Sequence, residues 1–424
     1  MTRYKAEAFD VWQYLCGQTY EPLIRWRIDI SGRIDEETLM RAITLSLETI
    51  PLIGCCFDGS GRKPYWVDKG FTGKDMVRVV EVDGDAEAEI IRVLSSGIDA
   101  ETEPQLKIGI VRAPEGDTMC IAISHLVCDG TGFKDYLSLV ADIYTRLKSG
   151  QTVPAPQRYP RSTRPLYKRT GWLERIRLLR APQPVREYSL KDQIGVDFNT
   201  GETTPYLEYR TLSPRDFAAF KTFAVAHRAT VNDALMAVFA RAFCRETTTT
   251  HLAFTSTIDF RRFIPPGVPY GITNYAGNCV CGIAIDPREP LEATFAKISS
   301  QMQEYKIGKI SLQQVIGWDL AVRFISFAKL KKGFTRQVPA SMVAFTNPGI
   351  LDTAGLDFDG APIRSAYMTA SIKPRPYFQV LASTFEGACT LTCNVYGSQQ
   401  EQQFADRVLD DIVREISEPK ENLP

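Results

Sequence analysis

The first half of the chain alternates between a hydrophobic period of two residues and the spacing of a helical face. Residues 23–30 place isoleucine or tryptophan at every second position, between charged residues, which predicts a strand with one face on a core. Further strands are predicted at residues 52–57, 63–67, 76–82, 105–111 and 118–124, and helices after the capping residue Asp35 and at residues 85–97. This pattern indicates a lobe that mixes strands and helices around an antiparallel core.

The stretch with the clearest chemical content joins a strand to a helix. Residues 119–123 are continuously apolar, as expected of a strand covered on both faces. They lead into Ser124-His125-Leu126-Val127-Cys128-Asp129-Gly130, and a helical face then recurs from Phe133 to Leu147. The sequence therefore predicts that rigid elements hold His125 at the mouth of a buried strand, where its ring can face a cavity.

The second half repeats the order of strand and then helix. Strands are predicted at residues 207–212, 251–258, 279–285 and 341–345, helices after Ser213 and Thr230 and within 290–333, a hairpin of 377–384 with 389–396, and a closing helix at 404–416. A chain of 424 residues exceeds what one core usually serves, so two lobes are expected.

The segment between the two halves has a different composition. Prolines alternate there with arginine and lysine, which cannot build a core, so residues 151–190 are predicted to be a crossover linker between lobes of residues 1–150 and 191–424. Residues 172–179 within it have the pattern of a short basic amphipathic helix. Such a helix packs across a lobe boundary with its arginines in solvent, or touches a membrane surface or an acidic partner.

The amino-acid composition limits the classes of binding partner that the protein can have. Lys plus Arg and Asp plus Glu are both 50, so there is no global basic field for nucleic acid. No window approaches the ~20 apolar residues of a membrane span, and the N-terminus lacks a signal core, which predicts a cytoplasmic protein without a transmembrane segment. The ten cysteines lie in apolar segments without paired CxxC spacing. Reduced, buried thiols and no bound metal are expected.

The His125–Gly130 stretch resembles the HHxxxDG signature of the chloramphenicol acetyltransferase superfamily, which includes condensation domains of nonribosomal peptide synthetases, plant BAHD acyltransferases and alcohol acetyltransferases. Ser124 stands where many members carry the first histidine, and His125 matches the second, catalytic one. Asp259 and Arg261 match the DxR segment, followed by Gly277-Asn278. Thr346-Asn347-Pro348-Gly349 is similar to the SN-x-G loop of condensation domains and wax ester synthases, whereas the BAHD DFGWG motif is absent.

The resemblance implies an α+β fold of two chloramphenicol-acetyltransferase-like lobes, each a mixed sheet flanked by helices, with the active-site tunnel between them. It implies that His125 is a general base, for which an imidazole with a pKa near 6.5 is suited. It further implies that Asp129 pairs with Arg261 to brace the loop, that Gly130 leaves room for the thioester, and that Thr346 and Asn347 are oxyanion candidates. Cys128 is the rival nucleophile, with packing as its alternative role.

Three functions remain open at this point. The first is an alcohol O-acetyltransferase-like enzyme that takes its acyl group from acyl-CoA, as cosubstrate and without a permanently bound cofactor, and passes it to a small-molecule hydroxyl or amine. The second is a condensation-type enzyme that uses the phosphopantetheine thioester of an acyl carrier protein. The third is a non-catalytic binding protein with the same fold.

Overall fold

The computed structural model describes residues 1–182, 188–198, 200–286, 288–307, 311–337, 342–352, 355–356 and 358–418. Residues 183–187 of the predicted linker lie outside the described residues. Ser341, the first residue of the strand predicted at 341–345, also lies outside them.

The N-terminal half contains strands and helices in nearly the predicted order. They are β1 (Arg3–Lys5), α1 (Ala8–Cys16), β2 (Leu23–Ile30), α2 (Glu36–Ser46), β3 (Cys55–Asp58), β4 (Tyr65–Asp68), β5 (Val77–Glu81), α3 (Ala86–Leu94), β6 (Leu106–Ala113), β7 (Gly116–Ser124) and α4 (Gly130–Lys148). The apolar run predicted as a strand from residue 52 begins instead with a 3-10 turn at Pro51–Gly54, because proline fixes the backbone there.

The remaining elements follow the crossover. They are α5 (Trp172–Arg180), β8 (Thr204–Leu212), α6 (Pro214–Ala226), α7 (Val231–Thr247), β9 (His251–Asp259), β10 (Ala276–Ala284), α8 (Leu291–Ile307), α9 (Ser311–Phe324), α10 (Phe327–Gln337), β11 (Val343–Ile350), β12 (Ile363–Thr369), β13 (Lys373–Pro374), β14 (Phe378–Phe385), β15 (Ala388–Gly397) and α11 (Gln399–Ser417). Side-chain caps begin α6 and α7 at Ser213 and Thr230, as the sequence predicts.

Two mixed sheets organise these elements. One has the order β12-β2-β7-β6-β5, and the other β10-β9-β11-β14-β15-β13 with β8 paired to β15. In the first sheet β5 runs parallel to β6, and in the second β11 runs parallel to both β9 and β14. β1, β4 and β3 form a small separate sheet. The predicted α+β class with mixed sheets is therefore confirmed.

Each large sheet has its own hydrophobic core. One core gathers residues of β2, β6 and β7 with α2 and α4, and the other gathers residues of β9, β10, β14 and β15 with α7, α8 and α11. The strand β12 pairs with β2 although it belongs to the last quarter of the chain. The first sheet is thus completed by a segment made long after the rest of it.

The apolar face of β2 lies on a core as predicted, and its charged face is covered as well. Arg25 is 0% exposed and Arg27 is 9% exposed. The helix α3 covers this face: Arg25 Nε donates to the carbonyl of Leu94, and Arg27 Nη1 donates to Glu87 at 2.7 Å. Alternation along one strand reports polarity, but it does not show that a distant helix supplies partners for buried charges.

The basic helix α5 lies on the surface against α9, where Gln313 Nε2 donates to the carbonyls of Leu179 and Ala181 at 3.3 and 2.9 Å. Its residue Trp172 is 70% exposed. In the part of the chain that the structure describes, no helix combines the length and the apolar character needed to cross a bilayer.

Candidate active site

His125 is held by backbone pairing at the end of a central strand. Leu23 of β2 lies opposite Ser124, the last residue of β7, and the His125 amide donates to the carbonyl of Pro22 at 2.7 Å. Ser124 is 1% exposed, and its hydroxyl accepts from the Leu126 amide at 3.4 Å. The Ser124 side chain therefore points into the turn. The His125 side chain is half-buried.

The carboxylate of Asp129 is the most highly coordinated group of this loop. It caps α4 by accepting from the Gly132 amide at 2.9 Å, and it accepts from the Tyr275 amide at 2.6 Å. Arg261 donates to both of its oxygens, from Nη1 at 2.8 Å and from Nη2 at 2.9 Å. The structure thus brings Asp129 and Arg261 into a bidentate pair, with side chains 3% and 8% exposed.

Burial would by itself raise the pKa of Asp129, but the Arg261 guanidinium and the two amides outweigh it and hold that pKa below its ordinary value. Asp129 is therefore an anion whose oxygens are committed to Arg261, Gly132 and Tyr275. Within the described residues it makes no hydrogen bond to His125, so its geometry is that of a brace for the loop.

Asn274, which precedes β10, reaches His125 from the other half of the chain. Its Nδ2 donates to the carbonyls of His125 and Leu126 at 2.7 and 3.2 Å. Its Oδ1 lies 2.9 Å from Nδ1 of the His125 ring. The side chain is nearly fully buried, at 1% exposure.

These contacts determine which nitrogen of the imidazole carries the proton. Two carbonyl oxygens can only accept, so the Asn274 amide nitrogen must face them and Oδ1 must face His125. Because Oδ1 is an acceptor, Nδ1 carries the proton, and Nε2 keeps its lone pair. Burial lowers the pKa of His125, and the charge of Asp129 opposes this only in part. The ring is therefore in the neutral form that can accept a proton at Nε2.

The Thr346-Asn347-Pro348-Gly349 motif lies within β11 and meets the start of α4. A Cβ at Gly130 would lie 3.3 Å from the Cβ of Pro348, so glycine allows this close approach. Lys134 Nζ donates to the carbonyls of Pro348 and Ile350 at 2.9 and 3.2 Å. The expected turn after residue 345 is instead a bulge within β11, whose pairing with β14 shifts register between Thr346 and Gly349.

The two oxyanion candidates lie in this bulged segment of β11 and have different environments. The Thr346 hydroxyl is 2.9 Å from the Thr257 hydroxyl, and Asn347 Oδ1 accepts from the Gly349 amide at 2.8 Å. The second bond uses the amide oxygen of Asn347, and the amide nitrogen has no acceptor among the described residues.

The alternative nucleophile has an unsuitable environment. Cys128 is 0% exposed, and burial raises the pKa of its thiol far above the ordinary value. A neutral, inaccessible thiol is a poor nucleophile. All ten cysteines are buried. Across the residues with described positions, no group of three or more His, Cys, Asp or Glu side chains could hold a metal ion.

Two residues of the site carry no motif that would have indicated them in the sequence. One is Asn274, which lies a few residues before the recognisable Gly277-Asn278. The other is Arg161 of the linker, whose guanidinium donates to Asp10 at 3.0 and 3.1 Å, to the Val127 carbonyl at 2.5 Å and to the Ile272 carbonyl at 3.1 Å. Only the fold reveals that these side chains converge behind the histidine loop.

Solved structures with the same architecture identify the fold. The first condensation domain of the calcium-dependent antibiotic synthetase matches with a TM-score of 0.68 and 18% identity over 99% of this chain and 98% of that one. The polyketide synthase associated protein 5 of Mycobacterium tuberculosis gives 0.67 and 15% over 98% and 100%. Trichothecene 15-O-acetyltransferase of Fusarium sporotrichioides gives 0.67 and 12% over 97% and 95%. The chain therefore has the same two-lobed fold as these condensation-domain and acetyltransferase structures.

Sequence comparison is more limited. No protein-family model matches the chain. A stretch of 89 residues is 35% identical to surfactin synthase subunit 1 of Bacillus subtilis, and it covers 19% of this chain and 2% of the length of that protein. The superfamily resemblance read from the histidine motif is thus confirmed for the fold, in agreement with a local match to a peptide synthetase.

We predict that Asp129→Asn destabilises the protein strongly, because the buried Arg261 guanidinium loses its bidentate counter-charge and keeps only the half-exposed Asp259 carboxylate at 3.3 Å, while the amide keeps an oxygen for the helix cap. The free energy of unfolding should fall by ~3 to 5 kcal/mol in denaturant titrations. The matched control is Arg92→Met, which breaks an exposed pair with Glu89 and should change stability by no more than about 1 kcal/mol. Equal effects of the two substitutions would contradict the bracing role.

We also predict that His125 titrates below the ordinary histidine range and that Asn274→Asp raises its pKa, because a carboxylate at Nδ1 favours the imidazolium. The chain has only 3 histidines, so the ring signal of His125 can be assigned in an NMR pH titration by its loss in His125→Ala. A control variant, His227→Gln, should leave the His125 titration unchanged. An Asn274→Asp protein whose His125 titrates like the wild type would exclude the contact.

Proposed function

We propose that the protein is an alcohol O-acetyltransferase-like enzyme that moves an acyl group from a CoA thioester to a hydroxyl or amine acceptor, with His125 as the general base. The observation that carries this proposal is the Asn274 contact, which leaves Nε2 of a neutral imidazole unprotonated. The two-lobed fold, shared with a trichothecene acetyltransferase and with condensation domains, supports the same reaction class.

The chemistry needs no enzyme nucleophile. The acceptor hydroxyl donates its hydrogen bond to Nε2 and passes its proton there while its oxygen attacks the thioester carbonyl. A tetrahedral intermediate forms with a new C–O bond and an oxyanion. When the intermediate collapses, the C–S bond breaks, and the imidazolium returns its proton to the sulfur as the thiol leaves.

The negative charge of the intermediate needs a hydrogen-bond donor. We assign this role to Asn347, with Thr346 as its neighbour, because the free Nδ2 group of Asn347 lies in the bulged segment of β11 that meets Gly130. Removing one such donor typically lowers turnover ~10² to 10³-fold. Gly130 then has the role of allowing the bulged segment of β11 to approach the start of α4.

The identity of the acyl donor defines the second candidate. The condensation domains among the structural matches and the local likeness to surfactin synthase favour a carrier-protein phosphopantetheine thioester as the alternative donor. Both donors present the same thioester to His125, so they differ in what binds at the protein surface. No permanently bound cofactor is part of either scheme. The ten cysteines are buried in apolar segments without paired CxxC spacing, which is typical of a reducing compartment, and we propose that the reaction takes place in the cytoplasm.

We predict that His125→Ala lowers turnover ~10² to 10⁴-fold, because the acceptor loses its base. The measurement is colorimetric release of free thiol from a panel of acyl-CoA donors with alcohol and amine acceptors. Circular dichroism and denaturant titration should show that the variant remains folded. Near-normal release by this variant would remove His125 from the mechanism.

The same assay separates the candidates. Release from free acyl-CoA supports the first, and release only from acylated carrier protein supports the condensation-type reaction. If neither donor is consumed while ligands still bind, the protein is a binding module that retains the fold.

A further inference from the structure

A buried lysine near His125 is not used by the proposed mechanism. Lys373 lies on β13, opposite Val395 of β15, and its side chain is buried, with 7% of the residue exposed. Its Nζ is 3.2 Å from the centre of the Tyr20 ring. In the described parts of the chain, this ammonium has no hydrogen-bond acceptor and no ion-pair partner.

The backbone connections place Lys373 and His125 on either side of one segment, residues 20–23. The Pro22 carbonyl accepts from the His125 amide, as described above, and the Leu23 carbonyl accepts from the Ser371 hydroxyl at 3.1 Å. Tyr20, at the start of the same segment, carries the Lys373 ammonium on its ring. Lys373 is close enough that, after burial, its charge also contributes to lowering the pKa of His125.

The ammonium is costly in this position. Burial lowers the pKa of Lys373 to about 7, and the nearby Cys16 and Glu21 oppose this only in part. Glu21 does not neutralise the lysine, because its carboxylate is bonded to Arg25. The Tyr20 face contributes a cation–π attraction, but it does not supply a counter-charge. A buried charge without a partner destabilises a fold and is therefore rare. A ligand that supplies an anion to the Lys373 ammonium would explain why the lysine is found in this position.

We propose that Lys373 recognises a carboxylate group of one of the two substrates, and that this carboxylate lies close to the reacting atoms of that substrate. This inference rests on the proposed function, since it places the anion across residues 20–23 from the proposed base. The substrate class is a hydroxy or amino acid if the carboxylate is on the acceptor, or the half-thioester of a dicarboxylic acid if it is on the donor. The phosphates of CoA lie at the far end of the pantetheine arm from the thioester, so a compact carboxylate fits this position better.

The first test measures binding without turnover. Protein labelled with ¹³C at the lysine side chains is titrated with pH, and the Lys373 signal is the one lost in Lys373→Met. Lys74→Met, which removes an exposed lysine of the other lobe, is the matched control. Acetate, lactate, glycine and succinate are compared with acetamide, lactamide, glycinamide and succinamide as neutral probes.

A bound carboxylate favours the ammonium, so at least one acid should raise the pKa of Lys373, whereas its amide should not. A tenfold preference for the protonated lysine corresponds to a rise of about one pKa unit. If all four acids leave the Lys373 titration unchanged, the inference is overturned, whether or not the protein releases thiol from acyl-CoA. The reverse failure, carboxylate binding without thiol release, contradicts the proposed function alone.

The second test uses any donor and acceptor pair that turns over. The ratio of kcat/KM for a carboxylate substrate to that for its amide should fall at least about tenfold in Lys373→Met, be largely retained in Lys373→Arg, and be unchanged in Lys74→Met. The substrate whose amide is disfavoured shows whether the acceptor or the acyl group carries the anion. Equal loss for acid and amide in Lys373→Met would mean that the lysine only supports the fold.

Discussion

The buried carboxylate of Asp129 is the constraint on which the rest of the site depends. An anion removed from water must be satisfied in every direction, and here its partners come from three parts of the chain: α4, the segment before β10, and Arg261 after β9. Satisfying it therefore fixes the position of residues 273–275 against the histidine loop. Arg261 reinforces this by donating to the Thr273 carbonyl at 3.0 Å. Asn274 reaches His125 because its neighbour Tyr275 is held by Asp129.

The charges around the imidazole have separate roles. Asp129 neutralises Arg261 and caps a helix, so it acts on the ring only through its field. Asn274 sets which nitrogen bears the proton without adding charge. This arrangement differs from a triad in which a carboxylate contacts the base, since a neutral amide does not stabilise the imidazolium to the same extent. In the proposed reaction, such a base would therefore return its proton to the leaving thiol more readily.

Much of the fold was readable from the sequence, and the reasons for the remainder are specific. Periodicity located β2, β6, β7 and the hairpin of β14 with β15 because these strands alternate or are continuously apolar. It could not show that α3 covers Arg25 and Arg27, since those partners are distant in sequence. The histidine motif indicated His125 and Asp129, and the DxR segment indicated Arg261. Asn274, Arg161 and Lys373 occur in no motif, and their significance comes from burial and from neighbours that only the folded chain provides.

The pairing of β12 with β2 has a consequence for how the protein is made. During synthesis from the N-terminus, β2, β7, β6 and β5 can leave the ribosome and pair with one another long before residues 363–369 exist. Until then β2 has an unpaired backbone edge, the kind of surface that recruits other strands and favours aggregation. The sheet that holds the histidine is therefore completed after most of the chain has been translated, and a nascent chain stalled before β12 would be a natural client for chaperones.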